Sequence, residues 1–150
     1  MDGGGRVIWH RKQVRATAWE KLRIDAMMKG GCILTMYRRE KGLAIPPPGK
    51  IECQHIVRDN HRLGHLYTIP LHVYYHRGVL PMGYHHATAR LAFGAPLTDS
   101  LRVFRESHGV DDLDLWVILQ GRLGMSAELP PSKILPRREV SPEAQQSIKL

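Results

Sequence analysis

The chain has little cysteine: two residues, Cys32 and Cys53, in 150. Two thiols are too few for a disulfide framework, and both read most simply as small buried side chains. No apolar run approaches the length of a membrane span. The start, Met1-Asp2-Gly3-Gly4-Gly5, lacks the basic and then apolar pattern of a secretory leader, so a soluble, cytosolic chain is expected. Negative charge is also in deficit. Against 22 Lys and Arg stand 14 Asp and Glu, giving a formal charge of +8 and a pI of about 9.9. That balance favours a polyanionic partner, nucleic acid first among them.

The length bounds the answer to one modest domain with tails, large enough to bury a core without metal or disulfide. Residues 1–13 read as a basic lead, 14–124 as a single domain and 125–150 as an extended or disordered tail. From Val14 the spacing predicts a helix. Its packing face is Val14, Ala18 and Leu22 with Trp19 and Ala26 beside them, its wet face Arg11, Lys12, Arg15, Lys21 and Arg23. Gly30-Gly31 stops it. A short apolar run, Cys32 to Tyr37, leads to a basic turn, Arg38, Arg39 and Lys41, and then to Pro46-Pro47-Pro48-Gly49, a rigid surface loop. Arg38 and Arg39 are candidates to hold phosphates, or simply keep the loop soluble.

Most of the chemistry lies between Glu52 and Gly78, which holds five of the nine histidines. The stretch reads as a strand carrying Gln54 and His55, a polar loop from Arg58 to Arg62, a second strand over Leu66 to Leu71, and a helix opening near Val73 and carrying His76. If His55 and His76 converge, the set suits hydrolysis of a phosphodiester. A histidine titrating near neutrality can deprotonate water, and a second histidine with an oxygen donor can hold a divalent ion. His55 fits the base, and Gln54 and His76 the metal shell. Neighbours on a strand point to opposite faces, so Gln54 and His55 serve one centre only where the strand ends or bends.

Gln54-His55, Arg62-Leu63-Gly64-His65, Tyr67-Thr68-Ile69-Pro70-Leu71 and His76-Arg77-Gly78 occur in this order. Gly31-Cys32-Ile33 lies upstream, and Phe104-Arg105-Glu106-Ser107-His108-Gly109 downstream. Together they resemble an HNH nuclease of the beta-beta-alpha-metal (His-Me finger) type, and more narrowly the phage recombination enhancement function (Ref) family of RecA-dependent nucleases. The resemblance implies an α+β fold with packing helices around that core. It implies a DNA endonuclease using magnesium or manganese in the cytoplasm of a bacterial host, on DNA presented by a RecA filament. His55 would be the base, Gln54 and His76 the metal ligands, His65 a supporting residue, and Arg62 and Arg77 the phosphate contacts.

The chain departs from the family pattern in two places. Where the family has two adjacent histidines this chain has Gln54-His55, and a glutamine carbonyl is a weaker, neutral donor. Where the family has a Cys-x-x-Cys and a Cys-Pro-Trp-His-His, this chain has Cys32-Ile33-Leu34-Thr35 and His72-Val73-Tyr74-Tyr75-His76. Cys32 and His72 alone remain of a four-ligand set, so no tightly bound structural zinc is expected.

Further on, Val79 to Ala95 with His85-His86 reads as an ordered loop beside the active site. Thr98-Asp99-Ser100 offers N-caps for a helix ended by His108-Gly109. Asp111 caps another whose apolar face is Trp116, Leu119 and Leu123. Asp112 and Asp114 are explained by that helix start. Lys133, Arg137 and Arg138 in the tail would add non-specific attraction to DNA or embrace a partner chain. The rival to an endonuclease is a non-catalytic DNA-binding or recombination-accessory module on a degenerate HNH fold, to which Gln54 and the lost zinc ligands would belong.

Overall fold

The structure, a computed structural model, describes residues 15–128. The basic lead, the tail beyond Glu128 and with it the cations Lys133, Arg137 and Arg138 lie outside the described residues. Among the described residues, six helices and two small antiparallel sheets make a mixed α+β fold. Among the described residues no helix is long and apolar enough to cross a membrane.

Helix α1, Ala18–Lys29, begins at Thr17, whose hydroxyl accepts the Glu20 amide while the Glu20 carboxylate accepts the Thr17 amide. Its orientation reverses the sequence expectation. Leu22 is 69% exposed and Trp19 53%, Ala18 and Ala26 are also exposed, and Arg23 is 4% exposed. Arg23 and Met27, one helical turn apart, are the buried pair. The apolar periodicity lost because the Arg23 guanidinium finds three acceptors inside: Gln120 Oε1 at 2.9 Å, Thr68 Oγ1 at 2.8 Å and Thr68 O at 3.1 Å.

Helix α2, Ile33–Glu40, replaces the expected apolar run and basic turn. Arg38 and Arg39 lie in its last turn, where cations offset the partial negative charge of the terminal carbonyls. Arg38 is 6% exposed and donates to the Ala44 and Ala92 carbonyls, which removes it from the surface cations open to a phosphate.

The expected strand, loop, strand and helix are present. Strand β1, Ile51–His55, pairs antiparallel with β4, Thr68–His72, in the register Ile51↔His72 to His55↔Thr68, and β4 runs directly into α3, Val73–Arg77. Pro70 has no amide to donate, so its pair with Cys53 occupies a position where the ladder needs none. The polar loop contains a second hairpin, β2 (Val57–Arg58) with β3 (His61–Arg62). It turns on Asp59 (φ 51°) and Asn60 (φ 64°), residues that tolerate the left-handed conformation a two-residue hairpin turn requires.

Three further helices close the fold: α4, His86–Phe93; α5, Leu101–His108; and α6, Asp112–Arg122. α4 lies in the stretch read as loop; its start is fixed by the His85 amide, which donates to Thr88 Oγ1 at 3.0 Å. Ser100 caps α5, and Asp111 and Asp114 cap α6 reciprocally. Every residue of α6 from Asp112 to Gln120 is buried, so it is the central helix rather than one with a single apolar face. Its N-cap Asp111 and first residue Asp112 face Arg58, which donates to Asp112 Oδ1 at 2.9 Å and pins the small hairpin onto the helix. Trp116 of this helix and Tyr74, Tyr75, Phe104 and Ile69 are fully buried in one core, each contributing about 1.5–3 kcal/mol of hydrophobic stabilisation.

Candidate active site

His55 ends β1. Its Nε2 lies 3.2 Å from His65 Nδ1, and the two rings meet edge to face with centroids 5.3 Å apart. One ring proton on that line makes the contact a hydrogen bond. Burial lowers the His55 pKa below the usual imidazole value, and the charges of Arg62, His65 and His76 push it the same way. A half-buried imidazole in a positive surround is held neutral at physiological pH, which is the form that can take a proton.

Gln54 precedes His55 at the end of β1. Its amide nitrogen donates to the His55 carbonyl at 3.0 Å, so the amide oxygen is the atom that a cation would take.

His76, on α3, donates from Nδ1 to Glu52 Oε1 at 2.7 Å. Glu52 lies two residues before Gln54 and therefore on the same strand face. The Arg77 guanidinium clasps the same carboxylate with two bonds of 2.8 Å, and Lys50 Nζ lies 3.6 Å away. Arg77 first, and His76 with it, hold the Glu52 carboxyl down at about 2. Glu52 and Lys50 escaped the sequence reading. The period of two that joins Glu52 to Gln54 was the available signal, but nothing local named His76 as the partner 24 residues on.

With Nδ1 donated to a carboxylate, His76 Nε2 carries a lone pair in the arrangement typical of metal-ligating histidines. Among the described residues no group of three His, Cys, Asp or Glu side chains is placed to hold a metal ion alone. A cation here would draw on His76 Nε2, the Gln54 oxygen, water and phosphate oxygens of a substrate. That donor set fits magnesium or manganese, which keep waters and take few protein ligands, better than zinc.

Arg62, on exposed β3, lies close enough to influence both His55 and Cys53. Arg77 is half exposed beyond its Glu52 clasp. With Lys50 they place three cations around the His55 and His76 positions. His85 and His86 serve α4 instead: His85 stands at its start, and His86 Nδ1 meets Arg90 at 3.1 Å.

The two retained zinc-type positions have local duties. Cys32 Sγ accepts the Thr35 amide at 3.3 Å and caps α2. His72 caps α3 by accepting the Tyr74 amide at Nδ1, 3.0 Å, and donates from Nε2 to the Pro47 carbonyl at 2.8 Å. Gly49 packs so closely on that ring that a Cβ there would fall 2.6 Å from His72 Nε2. No protein-family model matches the chain, and no curated protein or solved structure matches it, so the family resemblance rests on the motifs alone.

Proposed function

We propose that the chain is a divalent-metal-dependent DNA endonuclease of the HNH type, with His55 as general base. One observation carries the reading: a partly buried histidine of lowered basicity, paired to His65, shares a basic surround with a second histidine whose Nδ1 is taken by a carboxylate. A neutral base and a metal-ready imidazole are the two groups that phosphodiester hydrolysis needs.

In this reading His55 donates from Nε2 to His65 and accepts a water proton at Nδ1. The water oxygen bonds to phosphorus, and the ester P–O bond breaks with its electron pair leaving on the sugar oxygen, which is protonated from solvent. Arg62 and the outer edge of Arg77 steady the phosphate. His76 and Gln54 would hold a magnesium or manganese ion, which supplies positive charge against the developing phosphorane and leaving oxygen. The overall charge of +8 favours DNA as the polyanion. Presentation of that DNA by a RecA filament belongs to the same proposal and rests on the motif resemblance.

The test is incubation with labelled single-stranded, duplex and displacement-loop DNA in magnesium or manganese, with and without a RecA filament. Metal-dependent cutting of at least one substrate is expected. Binding without cutting in every condition overturns the endonuclease.

A second reading, a non-catalytic DNA-binding or recombination-accessory module, is favoured by the commitment of Glu52 to Arg77 and Lys50, which leaves a neutral amide and one imidazole as the protein donors. Gln54→His separates the two. Tighter metal binding with faster cutting marks a weakened but competent site, and no gain in either marks a decayed one.

A further inference from the structure

Among the described residues, Arg23 is a buried cation without a carboxylate among its hydrogen-bond partners. All its polar contacts go to neutral groups: the Gln120 amide oxygen, the Thr68 hydroxyl and carbonyl, and the Met27 sulfur at 3.5 Å. Burial lowers its pKa to about 10. A leucine in the same place would avoid the desolvation of a guanidinium, so the arginine is costly as mere filling.

What it does to Thr68 follows from donor and acceptor arithmetic. A guanidinium only donates, so Arg23 Nη1 occupies a lone pair of the Thr68 hydroxyl. The hydroxyl proton then has two acceptors within reach, the His65 carbonyl at 3.0 Å and the Met27 sulfur at 3.7 Å, of which the carbonyl oxygen is the nearer and the stronger. Thr68 is also the residue opposite His55 in the β1–β4 register. That pair is two residues along from Cys53↔Pro70 and shares its character, so the Thr68 carbonyl points away from β1, toward α1, where Arg23 Nη2 takes it. One side chain of α1 thus holds both oxygens of Thr68. Through the hydroxyl it reaches the backbone of the loop residue whose ring meets His55.

We infer that Arg23 is a positioning residue for the His55–His65 pair, acting through Thr68. The inference rests on the proposed role of His55 as base, yet the pairing of the two rings can be read without any cleavage. In the full chain, ¹⁵N-labelled imidazole spectra report the proton shared between His55 and His65 as a protected, downfield signal.

Thr68→Val, which keeps the side-chain shape and removes the hydroxyl, is expected to lose that signal. Thr68→Ser is expected to restore it. Arg23→Lys keeps the charge but gathers its three N–H donors on one nitrogen, which cannot span Gln120 and both Thr68 oxygens, and is expected to broaden the signal. In a cleavage assay Thr68→Val should lower kcat by about 10- to 100-fold with KM unchanged, the size of effect usual when a supporting hydrogen bond behind a functional histidine is removed. Phe104→Leu, a cavity beside His108, is the stability control and should lower Tm while leaving the signal intact.

Retention of the imidazole signal in both Thr68→Val and Arg23→Lys would overturn the inference and leave Arg23 as a stabilising residue only. Should Thr68→Val fail to fold, Arg23→Lys alone decides. If no DNA is cut by wild type while the signal behaves as expected, the endonuclease reading fails and the positioning role stands.

Discussion

Glu52 on β1 and His76 on α3 are joined by a 2.7 Å bond between Oε1 and Nδ1, although 24 residues separate them. The bond fixes a ring proton on Nδ1 and leaves Nε2 as the ring nitrogen that a metal would take. A carboxylate in this place also raises the electron density of the imidazole, which strengthens it as a ligand. Glu52→Gln keeps an acceptor but removes the charge. Manganese affinity, followed by paramagnetic broadening of the His76 signals, should fall by about 10- to 100-fold. Equal affinity in the variant would detach Glu52 from the metal site.

Removal of metal is expected to leave the fold unchanged. The Cys32 sulfur and both His72 nitrogens already have hydrogen-bond partners, and both side chains cap helices. A zinc ion would have to break those caps. Thermal melting in the presence of a strong chelator should therefore give the Tm of the untreated protein, and a large drop would place a structural metal here after all.

Stability should fall as the pH drops below neutrality, because of His108. Burial lowers its folded pKa from 6.5 to about 4; the bond to the Ala95 carbonyl works against the shift and the Arg38 charge adds to it. A folded pKa below the unfolded one means that the unfolded chain binds the extra proton. The contribution is fully present above pH 6.5 and is lost between there and pH 4, an effect of about 3 kcal/mol. Denaturant melts at pH 7.5 and 4.5 should show that loss in the wild type and a smaller one in His108→Asn. Parallel losses in the two proteins would place the titration elsewhere.

Gly49→Ala tests the packing that delivers the chain into β1. The new methyl would meet a His72 ring fixed at both nitrogens, so the ring cannot swing aside without breaking the α3 cap or the Pro47 bond. A loss of about 1–3 kcal/mol is expected in urea melts. No change in stability would show that the loop yields instead.

The α+β character and the strand, strand and helix order from Ile51 to Arg77 were legible, because alternation, Gly64 and the polar turn are local signals. So were the caps at Ser100 and Asp111. The orientation of α1 was not. Apolar periodicity put Leu22 inward, whereas Arg23 found acceptors on Thr68 and Gln120, residues 45 and 97 positions away, which no local pattern names. Helix α4 was missed because its start depends on Thr88 serving the His85 amide, an uncommon cap, amid glycines that suggest a loop. At the candidate site the sequence named His55, Gln54, His65 and His76. It did not name Glu52, which the structure ties to His76 and Arg77 together.

The most direct test of the endonuclease is single-turnover cleavage by wild type and His55→Ala at matched DNA occupancy, in magnesium or manganese. Matching occupancy separates loss of the base from loss of binding. With His55 as the base, equal binding and a collapse of the cleavage rate are expected in His55→Ala. Cleavage at the wild-type rate by His55→Ala would contradict that role.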